Sequence, residues 1–253
     1  MARRRLDFFA GRRVFLTGAT SGIGREMALQ LRAAGARLFA TGRDREALAE
    51  FSGQPADLAD PDAVETLAVW LEREAGTLDV VILNAGLGHW RTIAAETGPT
   101  VDEVLAVNLR APIQLTRRLW PLLERAEAPR LGFVSSVASV FPGAGYPVYA
   151  ATKAGLSHFA RSIAAEQDRV RVTWIEPGPT TTDFHRRAGI AFSSGQRLVF
   201  ATARDCAAFG LDAIARGRGR AVHTPLMKAV ALLSSVAPAL MVSLARRRSR
   251  ARG

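Results

Sequence analysis

The chain has 253 residues, 48% of them apolar, enough for one well-buried domain of the α/β kind. A net charge of +11 points towards nucleic acid until it is located: Arg3, Arg4, Arg5, Arg12 and Arg13 face only Asp7, and Arg246, Arg247, Arg248, Arg250 and Arg252 face no acid, so the excess sits in two terminal runs and no nucleic-acid partner is expected. The lone Cys206 excludes an intramolecular disulfide, and the start MARRRLDFFAGRR lacks the apolar core of a secretory signal, so the expected setting is cytoplasmic.

Along the chain, short apolar runs alternate with longer amphipathic ones, the pattern of repeated βαβ units with helices on both faces of a parallel sheet. Strands are expected at Arg13 to Leu16, Arg37 to Thr41, Gln54 to Ala56, Asp79 to Leu83, Leu131 to Ser135, Arg171 to Ile175 and Arg220 to His223. Helices are expected to begin near Gly22, Pro61, Thr100, Ala111, Tyr149 and Ala203, with Gly35 closing the first and Gly217 the last. No repeat and no Ser, Gly or Pro-rich linker divides the chain.

VFLTGATSGIGREMALQLRAAG reads as strand, tight turn and helix, with glycines at Gly18, Gly22 and Gly24. Missing side chains let a backbone approach a pyrophosphate, whose charge the amides and positive end of the helix stabilise. The spacing G-x-x-x-G-x-G departs from the G-x-G-x-x-G dinucleotide pattern, and a purely structural turn is the competing reading. At the end of the second strand stand Ala40, Thr41, Gly42 and Arg43. No carboxylate is there to hold a ribose 2′-hydroxyl, and Arg43 can fork two donors onto a 2′-phosphate, which favours NADP over NAD. An ordinary solvated arginine beside Asp44 and Arg45 is the alternative.

Only two of the 34 basic side chains are lysines, Lys153 and Lys228, and the first lies four residues after Tyr149 in YAATK. In a helix that spacing puts phenol and ammonium on one face. An exposed Tyr/Lys pair would look the same in isolation.

Taken together, the motifs resemble those of the short-chain dehydrogenase/reductase family in its single-domain form, from about Arg13 to Thr182. TGATSGIG (Thr17 to Gly24) is similar to its TGxxxGxG loop, NAG (Asn84 to Gly86) to the motif after its fourth strand, and YAATK to its YxxxK. Ser136 lies thirteen residues before Tyr149, Asn108 falls in VLAVNLRAP, and PGPTTT (Pro177 to Thr182) resembles the segment that contacts nicotinamide. The resemblance implies an α/β single-domain Rossmann fold, a doubly wound parallel sheet of about seven strands, with residues 11–182 as cofactor and catalytic core. It implies a ketone or aldehyde/alcohol oxidoreductase, assembled as a homodimer or homotetramer through the helices starting near Ala111 and Tyr149; Arg43 at the second strand's end makes NADP(H) the preferred cofactor, with NAD(H) as second. Ser136, Tyr149, Lys153 and Asn108 would be catalytic. The cofactor would lie against Gly18, Thr20, Ser21, Gly22, Ile23, Gly24, Arg43, Asp57, Leu58, Asn84, Ala85, Gly86, Tyr149, Lys153, Pro177, Gly178 and Thr182.

Hydride transfer at a carbinol carbon requires a proton to move on the oxygen, and a phenol with a pKa near 10 is a poor base at neutral pH. Lys153 is therefore expected to lower the Tyr149 pKa. Ser136 would hydrogen-bond the substrate oxygen; its neighbour Ser135 should point to the opposite face of the strand. By resemblance Asn108 would kink its helix to hold a water linking Lys153 to solvent, although an isolated mid-helix Asn reads as a cap. Asp57 would contact the adenine amine, with turn chemistry as the alternative. The four histidines show no ligand spacing, so no metal is expected, and no G-x-S-x-G elbow is present.

Beyond Thr182 the resemblance fades. Residues 183–203 are the expected substrate lid, with Phe184, Phe192 and Phe200 at spacing eight. With Trp90 and Phe141 they suggest a bulky apolar substrate; a buried core is the other reading. The apolar run Leu226 to Ala245 carries Lys228, Ser234, Ser235 and Pro238 and ends in the basic RRRSRAR. It reads as a helix pair broken near Pro238 over the cleft or an interface, as an interfacial helix giving peripheral membrane contact, or as a true span. A catalytically silent cofactor-binding scaffold or membrane-associated regulator is the functional alternative to the enzyme.

Overall fold

The computed structural model describes residues 6–51, 53–142, 144–182, 184, 188–189 and 200–250, with side chains to residue 246. The expected apolar runs become strands β1 Arg13–Thr17, β2 Arg37–Gly42, β3 Gln54–Pro55, β4 Val80–Leu83, β5 Arg130–Val134 and β6 Arg171–Glu176; then come the short β7 Thr180–Thr181 and β8 Ala201–Thr202, which were not expected, and β9 Arg220–Val222, which was. Seven of them pair in the order β3-β2-β1-β4-β5-β6-β9, all parallel, while β7 and β8 form a separate parallel pair. The helices are α1 Gly22–Ala33, α2 Arg45–Ala49, α3 Pro61–Ala75, α4 Gly98–Leu105, α5 Ala111–Glu124, α6 Pro147–Glu166, α7 Ala203–Ala215, α8 Pro225–Val236 and α9 Pro238–Arg250.

A strand covered on both faces needs apolar side chains at every position, and β4, VVIL, is buried throughout. Successive residues still serve opposite layers. Phe15, Val81 and Leu83 pack with Leu67, Leu71, Leu115, Leu119 and Leu156 from α3, α5 and α6. Val14, Leu16, Val80 and Ile82 pack with Met27 and Leu31 of α1 and Leu211 and Ile214 of α7. Reversal of strand order between β1 and β4 leaves a crevice at their carboxyl ends, where a doubly wound sheet takes its ligand.

Helix starts moved where local capping decided them. α4 begins at Gly98, ahead of the expected Thr100, because Thr97 N donates to Thr100 Oγ1 at 3.1 Å and closes the first turn. α6 begins at Pro147, a residue whose fixed φ suits the first helical position. The five-residue α2 was not expected; Asp44 caps it by accepting from Ala47 N at 3.0 Å. Gly35 and Gly217 close α1 and α7 with φ of +78° and +61°. α8 and α9 are bent by 114° at Pro238, and among the described residues no single helix is long and apolar enough to cross a membrane.

Gly24 sits inside α1, where alanine would ordinarily add stability. Here an added Cβ would lie 2.1 Å from Gly18 O and 2.3 Å from Asn84 Nδ2. Gly24→Ala should therefore destabilise the fold by about 1–3 kcal/mol, the usual range for overpacking, as measured by chemical denaturation.

Candidate active site

The crevice is tied together by one hydroxyl. Thr17 Oγ1, at the end of β1, accepts from both Asn84 N and Ala85 N at 3.0 Å, and Asn84 Nδ2 donates to Thr17 O at 3.0 Å. These bonds fix the turn into α1 against the end of β4. The cleft beside them has a volume of about 1150 Å3, and every cofactor-contact position expected from the sequence lines it, from Gly18 and Gly22 through Arg43, Asp57, Leu58 and Asn84 to Pro177, Gly178 and Thr182. Gly22 has a φ of +53° and faces Thr182, so the first turn of α1 presents backbone where a side chain would fill the cradle. Amides and the positive helix end there suit a pyrophosphate, and the cleft is large enough for the rest of a dinucleotide, so the residues fit such a cofactor.

Arg43 is 60% exposed, with Nη1 3.8 Å from Glu103 Oε1. His89 Nε2 approaches the other oxygen of Glu103 at 3.7 Å. The sequence reading missed Glu103, since α4 is far from α2 along the chain. Asp57 Oδ1 accepts from Ala59 N at 3.0 Å, the turn chemistry that was the alternative, while the residue also borders the cleft.

Tyr149 and Lys153 lie in the first turns of α6. Ser136 follows β5; its Oγ accepts from Ala138 N at 3.1 Å and lies near enough to the Tyr149 phenol to pull its pKa down. Ser135 turns away, donating to Lys153 O at 3.0 Å and meeting Ser157 Oγ at 2.7 Å. Lys153 is buried, with Nζ donating to Val134 O at 2.9 Å and lying 5.8 Å from the Tyr149 ring centre. Asn108 sits behind the cleft in a π-helical turn, Ala106–Arg110, between α4 and α5. Its Oδ1 accepts from Leu87 N at 2.9 Å, and its Nδ2 donates to Leu87 O at 2.8 Å and Thr152 Oγ1 at 3.1 Å. The residue is no cap: it ties the segment after β4 to α6, and the π turn is what aims it there.

The expected lowering of the phenol pKa is not what the chain's own groups produce. Burial pushes Tyr149 up to about 12, with the Ser136 hydrogen bond pulling it down and Tyr146 adding to the rise. Burial also lowers Lys153 to about 8. Tyr149 keeps partial contact with the cleft, yet the surrounding protein dominates its titration. Desolvation disfavours both charged forms and is the leading cause of both shifts.

Beyond the phenol the cleft is aromatic. Trp90 stands 5.0 Å from Tyr146, Tyr146 6.2 Å from Tyr149, and Tyr149 5.5 Å from Phe184, between ring centres. Phe141 and, from α9, Ala245 also line the cleft. Tyr146 and Ala245 gave no signal in the sequence, because neither belongs to a motif. Phe192 and most of the expected lid lie outside the described residues. Among the described residues, no group of three or more His, Cys, Asp or Glu could hold a metal ion.

Residues 12–190 match the family model for short chain dehydrogenase, and the chain belongs to that family. It is 36% identical over 204 residues to the bovine (Bos taurus) dehydrogenase/reductase SDR family member 7B, a match covering 72% of this chain and 62% of that protein. The chain thus spans less than two thirds of that relative. It is 32% identical over 180 residues to the Mycobacterium tuberculosis 3-oxoacyl-[acyl-carrier-protein] reductase MabA, covering 70% of this chain and 73% of MabA. A solved short chain dehydrogenase from Escherichia coli complexed with NADPH superposes with a TM-score of 0.76 at 28% identity, over 87% of this chain and 99% of that one. One from Burkholderia phymatum in complex with NAD gives 0.79 at 22% identity, over 89% and 93%. The latter identity supports the shared fold alone.

The lysine shift has a stability consequence. The Lys153 pKa falls from 10.5 unfolded to about 8 folded. Below pH 8 both states carry the proton and the fold bears the full penalty of the buried charge; between about pH 8 and 10.5 the folded state releases it first, and stability rises with pH. Lys153→Met should therefore stabilise the protein at pH 7, by up to the order of 3 kcal/mol. That advantage should shrink towards pH 10.5, as read by denaturation at both pH values.

Proposed function

We propose that this chain is an NADP(H)-dependent oxidoreductase that interconverts an apolar ketone or aldehyde and its alcohol, with Tyr149 as general acid/base. The observation that carries the reading is the convergence of Ser136, Tyr149 and the buried Lys153 in the same cleft as the α1 glycine turn. When bound, the nicotinamide supplies or accepts the hydride. The side chains handle the proton and the oxygen. A phenol with a pKa near 12 is fully protonated at neutral pH and suits donation to a carbonyl oxygen, which supports the reductive direction. Ser136 would donate to the same oxygen as charge develops on it. Lys153 would stabilise the phenolate left after proton transfer, and an ammonium has three donors, of which Val134 O engages one.

The NADP preference rests on Arg43. Its pairing with Glu103 is long and largely exposed, so redirecting it to a 2′-phosphate costs little. The aromatic wall of Trp90, Phe141, Tyr146 and Phe184 supports an apolar substrate. Residues 1–253 would act as one domain, with 183–203 as lid, assembled as a homodimer or homotetramer through α5 and α6 and located in the cytoplasm. The exposed apolar residues of α8 and α9 support peripheral contact with a membrane.

Tyr149→Phe should retain NADPH binding, followed by cofactor fluorescence, while turnover of a test ketone falls about 100-fold or more. Unchanged turnover would reject the assigned role. Arg43→Ala should weaken NADPH about tenfold or more, the loss of a charge-assisted hydrogen bond, and leave NADH affinity nearly unchanged. Equal losses for the two cofactors would reject the 2′-phosphate contact.

A further inference from the structure

We infer that the hairpin of α8 and α9 is a docking surface for an anionic lipid bilayer, and that the cleft draws a membrane-dissolved, long-chain carbonyl substrate directly from that bilayer. The second half rests on the oxidoreductase reading; the first does not. Ten large apolar residues are exposed among the described residues, and seven belong to this hairpin, including Leu226, Leu232, Val236, Leu240 and Leu244. Its inner residues Ala231, Ser234 and Met241 are buried, so one face is committed to the protein and the other is left outward.

Charge selects the occupant. No Asp or Glu follows Asp212, whereas Lys228, Arg246, Arg247, Arg248, Arg250 and Arg252 accompany the hairpin. An apolar hairpin whose sequence carries six cations and no acid complements a leaflet of anionic headgroups over acyl chains; a second copy of the same segment would bring like charges together. Geometry sets the depth. The 12-residue α8 is about 18 Å long, short of the ~30 Å hydrocarbon core, and the 114° bend turns the chain back, so the pair lies in one leaflet.

The same hairpin also borders the cleft. A Cβ added at Gly178 would meet the Met227 side chain at 2.7 Å, so Met227 covers the segment after β6, and Ala245 lines the cleft itself. A leaflet on the outer face is then about one helix diameter, roughly 10 Å, from the aromatic wall. On this arrangement an acyl chain would enter the cleft from the hairpin side, towards Trp90 and Phe184, which line the same cleft as Ala245.

The test uses the full chain and vesicles of phosphatidylcholine with or without phosphatidylserine. The protein should float with the anionic vesicles at low salt, and at least tenfold less with phosphatidylcholine alone or at high salt. The triple variant Leu232→Glu, Val236→Glu, Leu240→Glu, at positions 65%, 70% and 50% exposed, should lose flotation at least tenfold, with unchanged circular dichroism. It should reduce a short water-soluble ketone as before but a vesicle-dissolved long-chain ketone at least tenfold more slowly. A vesicle-dissolved ketone bearing a photoreactive group should label the wild-type cleft and not the variant, which reads access without turnover. Absent flotation, or flotation indifferent to the variant, overturns the docking surface; loss of oligomers in the variant without any lipid binding assigns the face to a subunit interface and overturns it too. Normal flotation with an unchanged long-chain to short-chain rate ratio, or no labelling, overturns delivery from the bilayer. Labelling without turnover in the wild type would reject the oxidoreductase reading and leave delivery standing.

Discussion

A lysine ammonium buried with no carboxylate partner among the described residues is the constraint on which this site depends. Val134 O holds Lys153 Nζ at 2.9 Å, and Gly86 passes so close that a Cβ there would lie 3.1 Å from Nζ. The neighbouring polar groups are arranged around that charge. Ser135 fixes the Lys153 carbonyl, and Asn108 reaches Thr152, one residue away, while gripping both backbone groups of Leu87. Such a network keeps α6, the end of β5 and the segment after β4 in one register, which is the register that brings Tyr149 to Ser136.

The two apolar layers offset what this charge costs the fold. Parallel strands buried on both faces supply the largest part of the core, and their carboxyl ends meet where the strand order reverses. A strained or desolvated group is tolerated there because the packing beneath it over-determines its position. The π turn at Ala106–Arg110 is a further local cost at the same place; it aims Asn108 across to α6, which a regular helical continuation of α4 would not.

The cleft changes character along its length. Backbone amides and glycines line the end at α1, suited to anionic groups; aromatic rings line the end beyond Tyr149, suited to hydrocarbon. The titrating phenol stands at the boundary. Its surroundings account for a pKa near 12 in the chain's own field, and for why a neighbouring cation alone does not lower it.

The sequence by itself determined the seven strands of the main sheet, the glycine turn, the closing glycines Gly35 and Gly217, the break at Pro238, and the Tyr149 and Lys153 spacing, because each is set by local backbone geometry or short-range periodicity. It named the glycine turn, Ser136, Tyr149 and Lys153 among the positions that line the cleft, but not Glu103, Tyr146 or Ala245, and it misjudged the balance of charges there. Only the tertiary structure decided that Ser135 pairs with Ser157, that Glu103 meets Arg43, that Thr17 locks β1 to β4, and that Ala245 returns from the end of the chain to the cleft. These outcomes depend on contacts between residues distant in sequence and on how much water the fold excludes, and no local pattern carries either quantity.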